Sequence, residues 1–116
     1  MTQTTFRSGE PQMVDYTPSA NVTEGDVLLL GNTTGLTCGV AHVAITNAVQ
    51  GAVAAGGGIY DVVNLNNAAN YAKVWWDDSA NKVTTTSTNN ALFGFIVSGG
   101  GGGANTTAQA LHKPYV

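Results

Sequence analysis

The sequence predicts a mainly β fold: a small single-domain β-barrel or β-sandwich with an extended N-terminal arm and at most one short helix. Three observations lead there. Apolar runs are short and bounded by Gly, Asn, Asp or Pro, no stretch sustains a 3.6-residue period, and the only two tryptophans sit in an apparent hairpin. With 116 residues, 43% hydrophobic and 9% charged, the chain can bury one core and lacks the signature of disorder. Its polar surface must be built from Thr, Asn, Ser, Gly and Gln, which suits packing against other proteins.

The hairpin is the most informative element. Val74-Trp75-Trp76-Asp77-Asp78 and Lys82-Val83-Thr84-Thr85-Thr86 are rich in β-branched or aromatic residues and flank the turn formers Ser79-Ala80-Asn81. Neighbours on a strand point to opposite faces, so if one of Trp75 and Trp76 fills the core, the other leaves it. The outward ring is covered either by loops of the same subunit or by another subunit, since aromatics are enriched at interface cores.

Residues 1–21 read as an opening arm, polar, turn-prone and punctuated by Pro11 and Pro18, with an extended piece at Met13-Val14-Asp15-Tyr16. Such an arm gains order on a neighbouring subunit or partner sheet, or as an edge strand of its own domain. Residues 22–116 form the β-rich domain. A turn at Val22 to Asp26 precedes the strand Val27-Leu28-Leu29-Leu30, which stops at Gly31-Asn32. Val40 to Thr46 reads as another strand, and Gly51 to Val63 as two extended pieces around Gly56-Gly57-Gly58. Asn66 to Ala72 has room for one helical turn. Ala91 to Ser98 is apolar on both faces, with Phe93, Phe95 and Val97 on one and Leu92 and Ile96 on the other, so it should be central. Gly99 to Gly103 reads as a mobile loop before a last strand from Thr107 to Val116, interrupted at Pro114.

A net charge of -3 with four scattered basic residues, Arg7, Lys73, Lys82 and Lys113, argues against nucleic acid and against a polybasic membrane contact. The start lacks the apolar core of a secretory signal, and no apolar run approaches a membrane span. The single cysteine, Cys38, excludes an internal disulfide and a cysteine metal site. His42 would lie about 13 Å from it along a strand, too far to serve as its base. Cys38 therefore reads as a small structural residue.

Gly51-Ala52-Val53-Ala54-Ala55-Gly56 has the outer spacing of a phosphate loop but continues with Gly57-Gly58 where Lys and Ser or Thr are required. Gly99, Gly101 and Ala104 have too little chain after them for a dinucleotide-binding unit. Asp77-Asp78 reads as turn chemistry, and Glu24 with Asp26 lacks the remaining ligands of a calcium loop. No nucleophile, base and orienting acid assemble, so no enzyme, cofactor or metal is expected.

The order of features resembles the DUF2190 family of phage capsid cement or decoration proteins. The matching marks are Phe6-Arg7-Ser8-Gly9, Val14-Asp15-Tyr16, Val22, Gly25, Val27, Gly39-Val40-Ala41, Gly58-Ile59-Tyr60-Asp61-Val62, Val74-Trp75-Trp76-Asp77, Val83-Thr84-Thr85-Thr86 and Gly94. Where that family commonly has a glycine two or three residues before Val74, this chain has Tyr71-Ala72-Lys73. The resemblance implies a structural virion protein on the outer surface of the expanded head, bound to the major capsid protein and to itself, most simply as a trimer. It makes the arm from Phe6 to Tyr16 and the Trp hairpin the contact regions, with Phe6, Arg7, Val14, Tyr16, Trp75 and Trp76 as candidate capsid or intersubunit contacts. The alternative is a carbohydrate-binding module in which Trp75, Trp76, Tyr60 and Tyr71 stack on sugar rings.

Overall fold

The computed structural model describes residues 3–30 and 37–114. The stop expected at Gly31-Asn32, the first two arm residues and the tail residues Tyr115-Val116 lie outside them. The described chain is all β, with strands β1 Thr5–Ser8, β2 Gln12–Tyr16, β3 Val27–Leu30, β4 Thr37–Ala41, β5 Gly51–Gly56, β6 Ile59–Asn64, β7 Lys73–Asp77, β8 Lys82–Thr84, β9 Ala91–Ser98 and β10 Thr106–His112. They form a six-stranded sheet, β1-β6-β10-β9-β7-β8, and a four-stranded sheet, β2-β5-β4-β3.

The larger sheet returns on itself. β8 meets β6 through the parallel pair Asn64↔Val83, so β6, β10, β9, β7 and β8 make a closed ring of pairings. Its interior is filled by Tyr60, Val62, Val74, Trp76, Val83, Phe93, Ile96, Ala108 and Ala110, all buried. Ala110 stands opposite Tyr60, where a small side chain leaves room for the large ring. The Trp hairpin forms as expected, with Trp76↔Val83 and Asp77↔Lys82 in register.

In the smaller sheet the central strands β4 and β5 carry buried residues on both faces. Val27, Cys38, Val40 and Ala54 join the main core, while Ala41 and Val53 face a second core with Val22 and Ile45. Strand periodicity sends neighbours such as Val40 and Ala41 to different cores. The outer face is capped by reciprocal backbone bonds between Val22 and Ile45, of 2.8 and 2.9 Å. The strand expected over Val40 to Thr46 therefore ends at Ala41, and Ile45 forms only an isolated bridge.

One bent two-stranded ribbon joins the sheets. β1 pairs with β6 and β2 with β5, from Thr5↔Asp61 to Tyr16↔Gly51. At its corner a Cβ on Gly57 would lie 2.9 Å from the Glu10 carbonyl oxygen, and one on Gly9 2.9 Å from Gly58 Cα. The chain can cross itself there only as glycine.

Three local expectations change. Asn66 to Ala72 is not helical, because Asn67 and Tyr71 take positive φ angles of 58° and 69° and break the turn. In β9 the register skips Phe93 between Leu92 and Gly94 opposite β7. That bulge adds one residue, so Phe93 and Ile96 are buried while Phe95 moves to the half-buried face. β9 is nonetheless central, bonded to β10 and β7. The run Gly99 to Gly103 is a turn tied down by Gly100 N–H to Asn70 Oδ1 at 2.8 Å, Gly101 N–H to the Ala68 carbonyl at 3.0 Å and Gly103 N–H to Asn67 Oδ1 at 2.8 Å.

Candidate functional site

An outer strand of a sheet bonds to one neighbour and leaves its other edge open. Among the described residues β2, bonded to β5, is such a strand, and β1, bonded to β6, ends the larger sheet; both differ from the rest in burial. All four residues of β1 are exposed, as are Gln12 to Asp15 of β2. Among their apolar side chains Phe6 is 41% exposed, Met13 46% and Val14 42%. Both faces of β2 are thus open, which is uncommon for a strand carrying Met and Val.

The candidate contacts fall on two separate elements. Phe6, Arg7, Val14 and Tyr16 share the ribbon. Phe6 rests on His42 and Tyr60, with ring centroids 4.8 and 5.5 Å away. Arg7 Nη1 lies 3.5 Å from Asp61 Oδ2 in a solvent-exposed pair, an arrangement worth at most about 1 kcal/mol. Val14 is opposite Val53, and half-buried Tyr16 packs on the second core. Trp75 and Trp76 lie on β7. Trp76 is completely enclosed and its Nε1–H donates to Asp78 Oδ1 at 3.2 Å, whereas Trp75 is half-buried on the other face. Only Trp75 of the pair reaches the surface.

A polar cluster inside the fold joins residues that the sequence leaves far apart. His42 Nε2 is 2.6 Å from the Tyr60 hydroxyl. Burial pushes the Tyr60 phenol up and the His42 imidazole down, the latter opposed by nearby Glu24. On the far side of Tyr60, His112 Nε2–H donates to the Cys38 carbonyl at 2.9 Å, and Cys38 Sγ sits 3.7 Å from the same nitrogen. The Cys38 S–H also meets the Leu92 carbonyl at 3.2 Å.

This pair has the composition of a catalytic dyad without its chemistry. Burial pushes the Cys38 thiol up to about 12 and His112 down to about 4, so neither charged form is available near neutral pH. Sequence spacing set Cys38 against His42, whereas its structural neighbour is His112, 74 residues away. Among the described residues no group of three or more His, Cys, Asp or Glu converges for a metal.

Two surface clefts complete the picture. One of about 290 Å³ lies between Phe6, Glu24, Val40 and His42, and a polar one of about 450 Å³ between Asn66, Asp77, Thr86 and Asn90. The polar cleft has no aromatic residue in its lining, and the first has Phe6 and His42. Of the four aromatics considered for sugar binding, Tyr60 and Trp76 are enclosed, while Tyr71 is 75% exposed. Val43, within the segment read as a strand, and Val49 are surface apolar residues, 58% and 53% exposed.

An all-β unit with four of its six candidate contacts on outer strands and its one thiol–imidazole pair sealed inside has the make-up of a structural binding protein. A family model described as phage cement protein matches residues 7–111. The chain belongs to the phage cement protein family, the family that the ordered marks in the sequence resemble, and is a phage structural protein associated with the capsid. No curated protein and no solved structure matches it.

Proposed function

We propose that this chain is a capsid decoration protein that binds the outer surface of the expanded phage head and stabilises it against genome pressure by bridging capsomers. In this reading it acts as a homotrimer at local threefold positions, with residues 1–21 as the attachment arm and 22–116 as the decoration domain. The supporting observation is β2, a strand open on both faces and presenting Met13 and Val14. Burying it against a neighbour removes apolar surface from water at little electrostatic cost, because only 9% of residues are charged. Each copy that buries a standard ~1,600 Å² across a capsomer boundary adds contacts that must break together when the shell comes apart.

Trp75, half-buried on β7, supplies a second contact region separate from the ribbon. Bridging requires two such regions. The test mixes purified protein with undecorated expanded heads, sediments them and counts bound copies per capsomer. Stoichiometric co-sedimentation is expected; protein left in the supernatant overturns the reading.

A further inference from the structure

We propose that His112 is an acid-sensitive latch between the two sheets: neutral, its imidazole ties β10 to β4, and protonated, it drives them apart. The geometry is specific to this side chain. β10 belongs to the six-stranded sheet and β4 to the four-stranded one, and the Nε2–H to Cys38 carbonyl bond crosses between them. The imidazole is completely enclosed. Among the described residues its Nδ1 has no hydrogen-bond partner. The neutral tautomer with its hydrogen on Nε2 therefore fits the site, whereas a proton added at Nδ1 creates a buried N–H and a charge with no acceptor.

The Cys38 carbonyl that accepts from Nε2–H favours the charged ring, but burial among the other neighbours outweighs it. β4 presents the Cys38 thiol, 3.7 Å from Nε2, β6 presents the Tyr60 ring at 5.9 Å, and β9 presents the Phe93 ring at 5.0 Å. Beyond Tyr60 lies His42, which repels a charged His112, with Glu24 acting on His42. Backbone bonds fix the strand as well: Gly57 N–H donates to the His112 carbonyl at 2.7 Å and His112 N–H to the Gly58 carbonyl at 3.0 Å. The ring cannot swing out while the corner holds.

Burial lowers the imidazole from its ordinary 6.5 to about 4, so the native state takes up this proton later than the unfolded chain does. The contribution of His112 is complete above pH 6.5, declines as pH falls towards 4 and declines no further below that. Over that interval the unfolding or opening constant should rise by roughly 300-fold from this residue alone.

Cys38 supplies the readout, because it is buried beside the latch. Labelling with 4,4′-dithiodipyridine, which reacts with thiols in acid, is followed from pH 8 to pH 4 and expressed relative to free cysteine. Wild-type Cys38 should lose protection as pH falls, His42→Gln should keep most of that decline, and His112→Gln should lose most of it. Equal pH dependence in wild type and His112→Gln overturns the latch. Should His112→Gln fail to fold, ring NMR of the wild-type protein decides. His112 must stay neutral while the chain remains closed, and a ring that titrates near pH 6.5 inside an intact fold refutes the proposal.

Discussion

The exposed ring of Phe6 stands edge-on to the buried ring of Tyr60, with centroids 5.5 Å apart. From Tyr60 the ring contacts continue inward through His112 and Phe93 to Trp76, at 5.9, 5.0 and 6.2 Å. A surface aromatic seated on such a ladder is held in place before any partner arrives, which lowers the ordering cost of binding. Phe6→Ala should reduce co-sedimentation with expanded heads. It should cost only about 1–2 kcal/mol of stability, because the ring is already 41% exposed. Undiminished attachment in this variant would remove Phe6 from the contact surface.

Val14 tests the open strand. It is 42% exposed and faces the side of β2 that carries Tyr16. Val14→Asp places a charge where solvent can reach it, so the stability change should stay within about 1 kcal/mol. In an interface the same charge would be desolvated without a partner, at a cost of several kcal/mol. Head binding should collapse while the melting temperature barely moves; loss of both together would mean that β2 acts as core rather than contact.

The two tryptophans separate packing from surface. Trp76→Ala empties the centre of the ring of strands and should cost about 3–5 kcal/mol, read from denaturant unfolding. Trp75→Ala, on the half-buried face, should cost about 1–2 kcal/mol. Similar losses for both substitutions would contradict the face assignment of β7.

Tyr71 carries a backbone cost without a packing return. Its φ of 69° lies in the left-handed region and its side chain is 75% exposed. Relatives are expected to hold glycine two or three residues before Val74, and three residues before is Tyr71, so this chain keeps the turn with a residue that dislikes it. Tyr71→Gly should leave the thermal midpoint unchanged or raise it, with a gain of up to about 1 kcal/mol. A clear drop would show that the phenol ring makes a contact worth more than the strain.

Local pattern carried much of the fold. The Trp hairpin, the pair of strands around Gly57 and Gly58, the central position of β9 and the extended piece at Met13 to Tyr16 are each encoded within a few consecutive residues. Alternation, β-branched content and turn formers act at that range. Of the proposed contacts, Phe6, Arg7, Val14, Tyr16 and Trp75 reach solvent, but nothing local distinguished Trp76, the enclosed neighbour, from Trp75. The face of Phe95 was misread because a bulge opposite β7 adds one residue, a feature set by the partner strand.

By itself, then, the sequence determined a mainly β chain with a low-charge exterior and the ordered marks of its family, since composition and short-range periodicity are properties of the chain alone. Tertiary structure decided which strands meet, how the ribbon of β1 and β2 ties the sheets at a glycine corner, and that Cys38 lies against His112 across 74 residues. The reason is physical: a contact at that separation is selected by how the cores exclude water and fill space, and no window of neighbouring residues contains that information.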